Sequence, residues 1–275
     1  MPARCEMNPQ WPRQQGPWMR ESIDMMARGQ SSRPEYNVIG IGYGAKRRPD
    51  PRLAVRIREA IGSASMTLNV GAGAGSYEPS DCRVVALEPS DVMLAQHPGG
   101  RCVQGVAELL PFDDGAFDVA MAVLTVHHWD DLYAGLAEMR RVARRQVLFT
   151  WDPDHEYKLW VTTDYVPAID ELETSRFVPL TAIVDALDAH TVEPFEIPHD
   201  FTDGFQAAFW RRPEMYLDPK VRAASSTFAS LPSEVVAPGI EQLRSDIETG
   251  KWDKKYEELL TLDRVDVGHR IIIAG

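Results

Sequence analysis

A short apolar segment that runs directly into three alternating glycines is the feature that most constrains this chain. The segment reads LNVGAGAG over residues 68–75. Alternating glycines after a buried strand predict a tight turn that packs closely against a ligand, because side chains there would fill the ligand's space. In a dinucleotide-binding turn, G-x-G-x-x-G, the third glycine would fall at Ser76, which weakens the interpretation as an NAD site. A purely structural turn is the alternative.

The pattern around this loop alternates short apolar runs with helical periodicity. Apolar positions recur at helical spacing over residues 51–61 and 132–142, and the apolar runs between such segments predict strands. Strands that alternate with helices form βαβ units, so the pattern predicts an α/β fold with a parallel sheet. The predicted strands cover residues 67–70, 83–88, 102–104, 118–124, 146–151, 191–197 and 270–274.

The chain outside this pattern predicts two further parts. Roughly 70 residues separate the last two predicted strands, too many for a hairpin turn, so we expect an inserted helical cap with helices over 213–228, 233–248 and 254–262. The first 35 residues predict an arm with one helix-like segment over 18–27. We therefore divide the chain into an arm (1–35), a core (36–199 and 263–275) and a cap (200–262).

Charge and composition limit the kinds of partner that this chain can bind. Lysine and arginine number 29 against 41 acidic residues, a net charge of −12, which disfavours long nucleic acids and anionic membranes. Residues 1–52 carry nine basic and five acidic residues, so the arm either lies over an acidic surface of its own body or of a neighbour in a homo-oligomer, or is solvated. No apolar run has the length of a signal peptide or a membrane span, which predicts a cytoplasmic protein.

An acidic residue closes the second predicted strand. Glu88 ends the run VVALE, 17 positions after Gly71. In doubly wound sheets a carboxylate at this place accepts hydrogen bonds from both hydroxyls of a ribose, so the loop and Glu88 together indicate a nucleotide-like ligand. A surface glutamate at a strand end is the alternative.

Three segments carry a resemblance to a known family. The segments NVGAGAGSYEP, VVALEPSDVML and GVAELLPFDDGAFDVAMAVLTVHHWDD resemble those of class I methyltransferases of the type 11 group, which use S-adenosyl-L-methionine and release S-adenosyl-L-homocysteine. The resemblance covers about residues 36–152. It implies a Rossmann-like, doubly wound, seven-stranded, mostly parallel sheet whose last strand is antiparallel, with the helical cap inserted between the last two strands.

The resemblance also implies a set of cofactor-binding residues. The methionine part would lie against the glycine loop, and Glu88 would bind the ribose. The adenine would lie beside Pro89 and Met93, with Ala107 and Glu108 at its edge. The chain that follows strand four would face the methyl group. A tyrosine and an arginine upstream would close over the cofactor's carboxylate. The implied residues are Tyr36, Tyr43, Arg47, Gly71, Ala72, Gly73, Glu88, Pro89, Met93, Ala107, Glu108, Val123 and Leu124.

Two positions depart from the family pattern. The usual acid two residues before the first glycine is Asn69, and the usual acid of the adenine loop is Val106. Asn69 still donates and accepts hydrogen bonds, whereas Val106 leaves adenine's amino group to the backbone or to Glu108.

Histidines and aromatic residues follow the later strands, at the edge where open α/β sheets bind ligands. His127 or His128 is a candidate general base, with packing and backbone hydrogen bonding as the alternative. Trp151, Trp160, Phe205 and Phe209 are candidates for an apolar acceptor pocket, although most such aromatic residues form core. Asp152, Asp154 and His155 fit a helix start better than a metal site, and the three cysteines share no metal-like spacing, so we predict no metal.

The predicted function is methylation of a small, largely apolar metabolite on carbon, oxygen or nitrogen. The arm and the aromatic cap are similar to those of methyltransferases of bacterial specialised metabolism, which includes carbon methylation of a prenyl group, as in teleocidin biosynthesis. Two alternatives remain: an RNA methyltransferase, which the negative charge opposes, and a protein that binds S-adenosylmethionine without methylating.

Overall fold

A seven-stranded sheet forms the centre of the computed structural model, which describes residues 36–40, 44, 47–175 and 178–275. The strands of the sheet are β1 (Met66–Val70), β2 (Arg83–Glu88), β3 (Arg101–Gln104), β4 (Phe117–Val123), β5 (Ala143–Trp151), β6 (Ala189–Pro194) and β9 (His269–Ala274). Their order in the sheet is β3-β2-β1-β4-β5-β9-β6. Strand β9 is antiparallel to both neighbours and the other neighbouring pairs are parallel, which confirms the predicted fold class. Strands β7 (Ile197–Pro198) and β8 (Arg264–Val265) form a separate ribbon.

Helices cover both faces of the sheet. The helices are α1 (Tyr36–Ile39), α2 (Pro51–Ile61), α3 (Asp91–Leu94), α4 (Leu132–Val142), α5 (Ala168–Ser175), α6 (Leu180–Leu187), α7 (Pro219–Arg222), α8 (Ser226–Ser230), α9 (Ser233–Glu248) and α10 (Lys251–Lys255). Helix α2 begins after Asp50, whose side chain accepts a hydrogen bond from Arg52 N, and is followed by Gly62 with φ 67°. It packs in one core with residues of β4 that face it, whereas α4 and α6 pack in a second core with other residues of that strand.

Several predicted elements differ in the structure. The helix predicted over 213–228 is three short pieces, because Asp218 and Pro219 start a new helix after the 3₁₀ turn Pro213–Leu217. The helix predicted over 254–262 is replaced by α10 and the 3₁₀ turn Leu259–Thr261. The strand predicted over 191–197 is divided between β6 and β7, and the helix-like segment over 18–27 lies outside the described residues.

Elements between β5 and β6 lie outside the predicted cap. A π-helical turn (Val161–Tyr165) and α5 follow β5 and were not predicted as elements. One hydrophobic core joins α2, the sheet and the cap, with Ile57, Phe149, Trp210 and Trp252 among its buried residues. Among the described residues, no helix is long and apolar enough to cross a membrane.

Candidate functional site

The glycine loop after β1 has the backbone that its sequence predicts. Gly71, Gly73 and Gly75 have φ of 69°, 56° and 83°. The amides of Gly71 and Ala72 donate to Leu87 O at 2.8 and 2.9 Å, which holds the loop against the end of β2. A Cβ at Gly71 would lie 2.1 Å from Thr125 Oγ1. Both this close contact and the positive φ therefore require a glycine at position 71.

Glu88 ends β2 beside this loop and is 6% exposed. Gly73 N donates to Oε2 at 2.9 Å, and Ser90 N donates to Oε1 at 3.0 Å. Burial raises the pKa of Glu88, and these two backbone hydrogen bonds oppose that rise. A carboxylate has about four acceptor positions, so each oxygen keeps one for the two hydroxyls of a ribose. The free acceptor positions of Glu88 therefore fit the ribose of the cofactor that the sequence implies.

The residues predicted around adenine lie near Glu88, with one different role. Met93 is buried on α3, and Ala107 is buried after β3. Pro89 connects β2 to Ser90, the N-cap residue of α3. The carbonyl of Pro89 accepts a hydrogen bond from Gln104 Nε2 at 3.1 Å. Glu108 accepts a hydrogen bond from Asp131 N at 3.2 Å, so its carboxylate is engaged at the start of α4.

Asn69, where the family pattern has an acid, joins a network below the loop. Its Nδ2 donates to Glu78 Oε1 at 3.0 Å, and His97 Nε2 lies 3.1 Å from the same carboxylate. A Cβ at Gly75 would lie 2.8 Å from His97 Nε2. A carboxylate from the loop thus lies beside the amide of Asn69 and braces the glycines.

The segment from Tyr36 to Gly40 covers α3 and the turn after β4. Tyr36 Oη lies 3.2 Å from His128 Nε2, and their rings meet edge to face. Ser90 Oγ donates to Asn37 Oδ1 at 2.5 Å, and Gln96 Nε2 donates to Gly40 O at 2.7 Å. Tyr43 lies outside the described residues.

Arg47 is held by an acid of the cap. Its Nε and Nη2 donate to the two oxygens of Asp203, which is 1% exposed, and Tyr77 Oη donates to the same carboxylate at 2.8 Å. The guanidinium also lies over the Phe205 ring, 5.7 Å from its centroid. The ion pair fixes Arg47 where the segment before α2, the glycine loop and the cap meet.

A cavity with about 1140 Å³ of empty space, part of it open to solvent, lies between the carboxyl edge of the sheet and the cap. Six of the predicted site residues line it: Tyr36, Arg47, Leu124, His127, Trp151 and Phe205. Trp160 and Phe209 are buried outside it. Trp160 Nε1 donates to Trp210 O at 2.7 Å, and Phe209 packs edge-on against Tyr216. These two residues belong to the hydrophobic core, because both pack against other aromatic residues.

Leu124 connects β4 to the cavity with an unusual backbone. Its φ is 53°, a conformation that costs a residue with a side chain about 1–3 kcal/mol. Leu124 N donates to Phe149 O at 2.8 Å, which holds the turn in place. Val123 ends β4 just before this turn.

His269 and Glu173 are among the titratable residues that line the cavity and that the sequence analysis missed. His269 is 4% exposed and stacks on Phe149, and burial lowers its pKa to about 3, so it is neutral near pH 7. Its pairing with Trp151 is the signal that could have found it, since an antiparallel strand begins where its parallel neighbour ends. Glu173, on α5, has a pKa that burial raises to about 7. No sequence pattern marked it.

Comparisons with known proteins agree with this geometry. A family model described as a methyltransferase domain matches residues 68–150. A solved structure from Anabaena variabilis, described as a methyltransferase from an antibiotic biosynthesis pathway, is 34% identical, with a TM-score of 0.78 over 84% of this chain and 99% of that one. A phosphoethanolamine N-methyltransferase from Haemonchus contortus, 13% identical with a TM-score of 0.51 over 87% of this chain and 55% of that one, shares the fold. The uncharacterised Escherichia coli protein YafE is 38% identical over 65 residues, which span 22% of this chain and 31% of YafE.

Proposed function

The chain belongs to the class I S-adenosylmethionine-dependent methyltransferases, and we propose that it methylates a small, largely apolar metabolite bound between the sheet and the cap. One observation carries the proposal: residues implied for the cofactor's reactive end and aromatic residues of the acceptor side line the same cavity. Leu124 belongs to the first group, and Trp151, Tyr157 and Phe205 belong to the second. His127, the candidate base, lines the same cavity. Shared enclosure supports a reaction in which the two reactants meet without water.

Each group of residues has a distinct task in this proposal. Glu88 accepts hydrogen bonds from the ribose hydroxyls, and the Gly71–Gly73 loop passes beside the methionine part. Arg47, fixed by Asp203, attracts the carboxylate of the amino acid end. When bound, S-adenosylmethionine supplies an activated methyl group on a positively charged sulfur.

Proton removal depends on the methylated atom. An oxygen or nitrogen acceptor loses a proton, and His127 in the cavity wall is the proposed base. His269 is neutral near pH 7, so we assign it a hydrogen bond to the acceptor rather than proton uptake, because its pKa of about 3 makes it a weak base. A carbon acceptor develops positive charge instead, which the aromatic walls stabilise.

Specialised metabolism is the proposed setting. The Anabaena variabilis protein is described with an antibiotic biosynthesis pathway, and this chain is similar to nearly all of it. The same likeness supports a small-molecule acceptor over RNA, as does the net charge of −12.

A transfer assay with methyl-labelled S-adenosylmethionine tests the proposal. We expect label in organic-soluble products when the protein is given metabolite fractions of differing polarity, and none in bulk RNA. The Ala207→Trp variant fills the cavity from its wall and is expected to lose transfer while still binding S-adenosylhomocysteine. Label in RNA, or binding of the cofactor without transfer to any fraction, would replace the proposal with one of its two alternatives.

A further inference from the structure

Glu173 places a carboxylate in the wall of the cavity. It lies on α5 and is partly exposed, and the same lining includes the aromatic residues Trp151 and Tyr157. The proposed methyl transfer uses no carboxylate there. A carboxylate in such a place costs free energy unless it meets a hydrogen-bond donor or a cation.

Hydrogen bonds from the cap engage one oxygen of this carboxylate. Thr227 Oγ1 donates to Glu173 Oε1 at 3.3 Å, and Gln206 Nε2 donates to the same oxygen at 3.5 Å. Ser225 Oγ in turn donates to Gln206 Oε1 at 3.2 Å, which fixes the amide. No hydrogen bond to Oε2 occurs among the residues that the structure describes, so this oxygen is available to a ligand.

Two charged residues near Glu173 act on its pKa in opposite directions: Asp170 on the same helix raises it and Lys158 lowers it. Both are exposed and also line the cavity. Lys158 Nζ donates to Pro153 O at 2.8 Å and is not paired with Glu173. The cap contributes Thr227 and Gln206, which are uncharged, and the buried phenol of Tyr216. Burial therefore raises the pKa of Glu173 to about 7.

We propose that Glu173 binds a protonated amine of the acceptor through Oε2, an inference that rests on the proposed role of the cavity as the acceptor site. A cation restores the ionised carboxylate, and Trp151 and Tyr157 add aromatic rings, which suit a cationic ligand, to the lining of the same cavity. Glu173 is hydrogen-bonded to the cap, whereas Leu124 lines the cofactor end. The amine is thus an anchor, and the methylated atom lies elsewhere on the molecule.

Three indoles that differ at one end group test this assignment. Tryptamine, tryptophol and indolepropionate present an amine, a hydroxyl and a carboxylate on the same ring system. We expect ligand-observed magnetic resonance at millimolar concentrations, with S-adenosylhomocysteine present, to show tryptamine binding more tightly than the other two. In Glu173→Gln, tryptamine affinity is expected to fall by about tenfold or more, because a hydrogen bond to a charged group is lost, while tryptophol affinity stays the same.

The matched control is Glu171→Gln, which removes an exposed carboxylate from the same helix. It is expected to leave all three affinities unchanged. No detectable tryptamine binding, equal binding of the three indoles, or an unchanged affinity in Glu173→Gln would each overturn the assignment.

The pH dependence of the intact protein is a second measurement that needs no variant. Tryptamine stays protonated near neutrality while Glu173 ionises, so its affinity is expected to rise about tenfold from about pH 6 to about pH 8. A flat profile would count against the assignment. Because S-adenosylhomocysteine binding is measured in the same samples, its loss would indicate failure of the proposed function, and its retention would confine the failure to the amine site.

Discussion

At the scale of single residues, Gly71 is a position where the backbone conformation and a neighbouring side chain both exclude a Cβ. An alanine there places a Cβ 2.1 Å from Thr125 Oγ1 and 2.9 Å from Thr125 Cβ, on a backbone with φ 69°. We expect Gly71→Ala to lower the free energy of unfolding by about 2–4 kcal/mol, measured by urea denaturation.

Gly115 supplies the control, since its φ is 65° and nothing lies within 4 Å of an added Cβ. Gly115→Ala should cost about 1–2 kcal/mol, from the backbone alone. Equal losses in the two variants would show that contact with Thr125 does not matter.

Glu173 gives the protein a predictable pH dependence. The folded state binds its proton more tightly than the unfolded chain, because burial raises the pKa from 4.5 to about 7. The native state therefore loses stability as pH rises through that interval, and glutamine does not titrate. We expect Glu173→Gln to be more stable than the parent by about 1–2 kcal/mol at about pH 8, after allowance for solvent screening, and not at about pH 4.

Urea denaturation at both pH values measures this difference, with Glu171→Gln as the exposed control on the same helix. A stabilisation of the same size at both pH values would mean that the carboxyl charge is not its cause.

At the scale of elements, the Arg47–Asp203 ion pair connects the segment before α2 to the cap. Asp203→Asn keeps the shape of the side chain but leaves the guanidinium without its carboxylate. We expect the free energy of unfolding to fall by about 2–4 kcal/mol, because removing one partner of a buried ion pair leaves the other charge buried and unpaired.

Asp200 offers a matched pair nearby. It is 61% exposed and pairs with Arg52, which is itself 43% exposed. Asp200→Asn is expected to cost less than about 1 kcal/mol. If both variants lost the same stability in urea, burial of Asp203 would not be what gives the pair its importance.

Elements that local sequence determines were predicted, and those that packing determines were not. The glycine loop, Glu88 and the strands around them follow from apolar runs and strand ends, so their positions along the chain were predictable. The helix predicted over 213–228 fails because the periodicity continued past Pro219, where a new N-cap begins. Trp160 and Phe209 are aromatic, like the residues that line apolar pockets, but both pack against Tyr216 and are buried in the core.

At the scale of the whole molecule, the cap and the sheet share a core. Buried residues of α2, β5 and the cap belong to one hydrophobic cluster, so the cavity between the sheet and the cap is bounded by parts that share a core. His269 and Glu173 reach that cavity from segments far apart in the chain. Their chemistry depends on this assembly, which explains why spacing along the sequence did not reveal them.

We propose that this chain binds S-adenosylmethionine with Glu88 holding the ribose. Calorimetric titration with S-adenosylhomocysteine tests this binding, with Glu88→Ala, Glu88→Gln and the exposed control Glu241→Ala. We predict micromolar binding by the intact protein and by the control. We predict binding weaker by about tenfold to a hundredfold in the two Glu88 variants, because the carboxylate's hydrogen bonds to the ribose are lost. No binding by the intact protein, or equal binding by the Glu88 variants, would contradict the claim.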